Sequence, residues 1–207
     1  MKFFTKDRYL RQQVMVNFSC GKDKEYTVKK EYWQRFFSMN SLLINYLPES
    51  ISKSIYDENT KQFVEFPPHN LVNDIKKWSQ SVLYDSEDSI KEYRKHYEKI
   101  KNELPEKVID MNKNYNFHDA RIGAVKLCKG SLKIELEYIE NYCLTFIGVK
   151  SFEMPDQIIG DCWLYNELQL SEKGNFDLQV LLESKEGCLI LHELRIIADD
   201  VIISKHD

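Results

Sequence analysis

The sequence predicts an α+β protein: a helical N-terminal part followed by an antiparallel β-meander, as a sheet or a small barrel-like domain. Three observations carry this. Apolar residues in the first half recur at spacings of three and four, the signature of a helix face. In the second half they alternate with polar ones, the signature of a strand with one dry and one wet face. Glycine changes at the same place: Gly21 is the only one in residues 1–108, whereas Gly123, Gly130, Gly148, Gly160, Gly174 and Gly187 punctuate the rest as turns between strands would.

The expected boundary lies near 105–115, with a helical domain over 1–108 and a β domain over 109–207. Charge divides there too. Residues 1–108 carry 19 Lys/Arg and 16 Asp/Glu, net +3; residues 109–207 carry 10 and 17, net −7, which together return the −4 of the 207-residue chain.

In chain order, Asp7–Val16 reads as a short helix. Lys24–Leu47 follows, with Tyr32, Phe36, Met39, Leu43 and Leu47 on one side as core residues and Pro48 as its stop. Glu49–Tyr56 is a second short helix. Another starts at Asn70, after Pro67-Pro68, and lines Leu71, Ile75, Trp78 and Val82 along one side. A separate helix covers Asp85–Leu104, with Ser86 as its N-cap and Ile90, Tyr93, Tyr97, Ile100 and Leu104 as its stripe. Strands follow at Phe117–Leu127, Leu132–Tyr138, Cys143–Phe152, Ile158–Leu170, Phe176–Leu182, Cys188–Ile197 and Val201–Ser204, joined by hairpin-sized links such as Lys129-Gly130 and Glu186-Gly187.

Composition removes several function classes. Apolar residues make up 43% and the charges nearly balance, which argues against intrinsic disorder and against a general nucleic-acid binder. The stripe Lys91, Arg94, Lys95, Lys99 and Lys101 is the one positive run, and it reads as a solvated helix face before it reads as an RNA contact. No segment approaches the length of an apolar membrane span, and charges at Lys6, Asp7, Arg8 and Arg11 interrupt any signal-peptide core, so a cytoplasmic location is expected. Five scattered cysteines without a CxxC read as reduced, buried thiols. No cofactor is expected: GxGxxG, GxxxxGK[ST] and GxSxG are absent, and Ser19-Cys20-Gly21-Lys22 lacks the first glycine of a phosphate loop.

Two places could carry function. Strand parity puts Asp161, Trp163, Tyr165 and Glu167 on one face, opposite Cys162, Leu164, Leu168 and Leu170. Tryptophan and tyrosine flanked by acids suit a binding face for a basic partner, unless the helical part packs over them. The other place is His118-Asp119. As a strand residue in phase with Ala120 and Ile122, His118 reads as a core histidine. The alternative is a small metal-dependent hydrolase using His118, Asp119 and His192. His192-Glu193 is not a zinc motif of the HExxH kind, since the fifth position is Ile196.

The segments MKFFTKDRYL, LPEKVIDMNKNYNFHDARI, GDCWLYNELQLSEKGNFDLQVLL and LHELRIIADDVII resemble the bacterial family called domain of unknown function 4085, over nearly the whole chain. The resemblance implies no activity. A Phe-His-Asp start before a small β-meander also looks like domains found among bacterial immunity and polymorphic-toxin-associated proteins, a likeness of architecture. Together these readings point to a non-catalytic protein-interaction module, in the manner of an immunity protein.

Overall fold

A computed structural model describes residues 1–18, 41–57, 59–60, 62–63, 71–187 and 189–206. The chain forms two compact units: Lys6–Ser89, and Met1–Thr5 together with Ile90–Asp207. The β-rich unit therefore includes the end of a helix, from residue 90, as well as the first five residues.

In the first unit, α1 (Lys6–Phe18) and a 3₁₀ helix (Ser41–Tyr46) precede α2 (Glu49–Ile55), which follows Pro48 as expected. Of the helix predicted over Lys24–Leu47, residues 24–40 lie outside the described residues, as do Cys20, Gly21, His69 and Cys188; its last part is the 3₁₀ helix. A two-residue ladder pairs β1 (Tyr56–Asp57) with β2 (Gln62–Phe63). Then α3 runs unbroken over Leu71–Ile100. Two helices were expected here, but nothing between Val82 and Asp85 stops a helix: the segment holds neither glycine nor proline. Ser86, expected as an N-cap, sits in mid-helix and accepts a hydrogen bond from Gln12 Nε2 at 2.5 Å. Beside it, Arg8 Nε donates to Asp85 Oδ2 at 3.0 Å. The phase set by Leu71, Ile75 and Val82 brings Ser89 inward and leaves Ile90 39% exposed, so Ile90 is not part of the buried stripe.

In the second unit, Pro105 opens a helix the periodicity did not predict, α4 (Glu106–Asn114), with Val108 and Met111 buried. These two join Ile100, Leu104 and the inner residues of the sheet in one apolar cluster. That shared cluster is the physical reason the unit reaches back into α3.

The sheet is entirely antiparallel. Its strands are β3 (Arg121–Cys128), β4 (Ser131–Glu137), β5 (Asn141–Ile147), β6 (Ser151–Glu153), β7 (Cys162–Leu170), β8 (Phe176–Glu183), β9 (Leu191–Ala198) and β10 (Asp200–His206), in the order β10-β5-β4-β3-β7-β8-β9-β6. Two meanders, β3-β4-β5 and β7-β8-β9, join where Arg121 pairs with Cys162. The sheet is open, with β10 and β6 as its end strands. It is nevertheless strongly curled. Phe146 on β5 and Phe176 on β8 are four strands apart, about 19 Å in a flat sheet, yet their rings are 6.3 Å apart. One residue, Asp199, separates β9 from β10, which stand seventh and first in the order, and its N–H reaches Ile147 O at 3.0 Å.

Gly148 makes the matching bend between β5 and β6. Its φ is +62°, and a Cβ there would lie 2.0 Å from Asp199 Oδ2. Gly148→Ala should therefore cost about 1–3 kcal/mol, read as a lowered melting temperature. An unchanged melting temperature would mean this corner is not as drawn.

Candidate functional site

Strand β7 carries the expected face, and a bulge rearranges it. Trp163 pairs with Leu182 and Tyr165 with Leu181, so Leu164 is an extra residue. An extra residue reverses the alternation, and Trp163 and Leu164 are both buried, at 1% and 5% exposure. Trp163 meets Phe117 edge-on at 5.5 Å, and its Nε1 donates to Asn166 Oδ1 at 3.2 Å. Asp161 and Glu167 are also fully buried. The four residues thus do not form an open binding face; Tyr165 alone keeps partial exposure.

The buried acids are taken up by partners within the same unit. Glu167 accepts backbone N–H groups from Lys2 at 2.9 Å and from Phe3 and Phe4 at 2.6 Å. Three converging amides satisfy a carboxylate that burial would otherwise penalise heavily. The segment they belong to is pinned further by rings. Phe3 packs on Tyr93 and His96, and Phe4 stacks on Tyr165 at 5.4 Å. The Tyr93 hydroxyl accepts the Leu168 N–H at 3.1 Å, and burial pushes the Tyr93 pKa up to about 12. Asp161 holds His192 Nδ1 at 2.7 Å and accepts Lys185 N–H at 3.1 Å, which fastens the β8–β9 turn to the start of β7. Asp177 is gripped by Arg195, with Nη2 to Oδ2 at 2.7 Å and Nε to Oδ1 at 3.0 Å.

His118 and Asp119 are not in a strand. They occupy the turn before β3, where strand parity does not apply, and Asp119 adopts φ 69°. The left-handed region tolerates aspartate better than most residues. Hence His118 is not a core histidine: its side chain is 42% exposed, its Nδ1 lies 3.1 Å from Asp119 Oδ2, and its ring meets Tyr165 edge-on at 5.6 Å. Burial raises the Tyr165 pKa, and the Asp119 charge raises it further. The fold thereby joins one residue of the expected face with two of the expected metal set.

His192 is tied to Asp161. Among the described residues, no three His, Cys, Asp or Glu side chains are grouped to hold a metal ion. Cys128, Cys143 and Cys162 are free thiols, but of these only Cys143 is buried; Cys128, at the end of β3, is exposed. Burial raises the Cys162 pKa, with the Arg121 charge opposing it, which disfavours the nucleophilic thiolate. Sequence reasoning missed Phe3 and Phe4 and read Tyr93 only as part of a helix stripe; the paired phenylalanines at the start of the chain were the available signal.

The chain matches the family described as "Protein of unknown function (DUF4085)" over residues 3–189. No curated protein and no solved structure matches it.

Proposed function

From the premise that the chain belongs to the DUF4085 family, we propose that it is a non-catalytic protein-interaction module of the bacterial cytoplasm, immunity-like in its manner of action, that binds a basic protein through the corner formed by Tyr165, His118 and Asp119. The observation that carries this reading is that corner. An amphipathic ring sits beside an exposed carboxylate whose side chain is 61% accessible, while Asp161, Glu167 and Asp177 are engaged inside. A lysine or arginine of the partner could lie over the Tyr165 ring while pairing with Asp119. The −7 charge of residues 109–207 favours such a partner. Among the described residues no helix is long and apolar enough to cross a membrane.

The test pairs capture with specificity. Full-length protein and the Tyr165→Ala/Asp119→Lys double variant are used to cross-link partners in cells of the source. We expect a basic protein with the unaltered chain and its loss with the variant, and the same loss with Asp119→Asn alone, which keeps the Tyr165–Phe4 stack and suits the positive φ, at unchanged melting temperature. A stoichiometric metal in the purified protein together with hydrolysis of phosphate or carboxylate esters would overturn the reading.

A further inference from the structure

The end of the sheet offers a second surface of opposite chemistry. Among the described residues, β6 pairs with β9 alone, so its other edge carries no strand. Two adjoining cavities, about 560 and 640 Å³, flank it and share Lys150 and Ser151. The first lies between β6 and the β3–β4 turn and is lined on its apolar side by Leu127, Val149 and Phe152. Leu127 is 64% exposed there, although its cross-strand partner Leu132 is fully buried. The second is lined by Ile197 and Arg195, which pair with Ser151 and Glu153 across the ladder. Phe152 lines the first cavity only, whereas Ser151 reaches both.

The charge here runs against that of its surroundings. Residues 109–207 hold ten lysines and arginines and seventeen acids. Four of the ten, Lys129, Lys150, Lys173 and Arg195, line the two cavities with one acid, Glu172, while Glu153 of β6 lies opposite Arg195 on the ladder. Lys150 is bridged to Asp199 and Arg195 to Asp177, both at 2.7 Å. Lys129 and Lys173 are exposed and hold no ion pair among the described residues.

We propose that the β6 edge binds an acidic, extended segment of a partner protein by strand addition. The unpaired main chain of an edge strand supplies the hydrogen bonds, and side chains entering the flanking cavities supply the selectivity. An apolar side chain fills the slot beside Leu127 and Phe152, and carboxylates face Lys129 and Lys173. This goes beyond the Tyr165 corner, uses none of its residues and stands or falls separately.

The probe is a fluorescein-labelled octapeptide alternating glutamate and valine, titrated by anisotropy against the full chain. Saturable binding is expected, weakened about tenfold or more by Lys129→Glu/Lys173→Glu, weakened by added salt, and unchanged by Tyr165→Ala. The same peptide with alternate amides N-methylated should not bind, because strand addition needs those donors. No binding of the glutamate peptide, equal binding of a lysine–valine octapeptide, or indifference to N-methylation would overturn the proposal. So would tighter binding of a single-stranded oligonucleotide through the same two lysines, which would reassign the groove to nucleic acid.

Discussion

Trp163→Ala is expected to destabilise the β-rich unit by about 3–5 kcal/mol, the usual cost of emptying a large aromatic site in a closed core. Trp163 is 1% exposed, sits edge-on to Phe117 and faces Leu182 on the next strand. Its indole N–H is satisfied by Asn166, so the variant also leaves that amide oxygen without its donor. For a protein of this size the loss corresponds to a melting temperature lower by roughly 10 °C. Denaturant titration followed by circular dichroism would check it, since a fall in midpoint at constant slope reports stability alone. Trp163→Phe should retain much of the stability. A Trp163→Ala protein of unaltered midpoint would place the indole at a surface and restore the open-face reading of β7.

Glu167→Ala should be of similar size, about 3–5 kcal/mol, because it strands three donors that converge on one buried carboxylate. Glu167→Gln should cost less, since its one carbonyl oxygen can still accept from Phe3 and Phe4. Deleting Lys2–Phe4 should cost a comparable amount, and combining that deletion with Glu167→Ala should add little, as expected for groups that act on each other. Amide hydrogen exchange gives the independent readout. Protection at Phe3 and Phe4 should vanish in Glu167→Ala while the amides of β8 stay slow. Fully additive losses would mean that the segment is held by its rings on Tyr93 and Tyr165 and not by the carboxylate.

Much of the candidate site was visible as residue types and invisible as an arrangement. His118-Asp119 and Tyr165 were each singled out, and nothing local says that they meet. They are more than forty residues apart, and their meeting depends on Asp119 N–H bonding to Trp163 O at 2.8 Å, a contact between a turn and a strand. The partners of Glu167 lie more than 160 residues away, at the other end of the chain. The tie between His192 on β9 and Asp161 just before β7 was no more visible locally.

By itself the sequence determined the α+β class, the change from helix to strand, the stops at Pro48 and Pro105, and most strand positions. Periodicity and backbone restriction are local properties, and each residue shows them whatever it later touches. Only the tertiary structure decided that α4 belongs with the sheet, that the strand order is β10-β5-β4-β3-β7-β8-β9-β6, and that a bulge at Leu164 turns Trp163 inward. Each of these is set by which distant apolar surface a segment buries. A single inserted residue reverses every side chain's face after it, and the gain from burying an indole, with no local marker in the sequence, fixes where that residue goes.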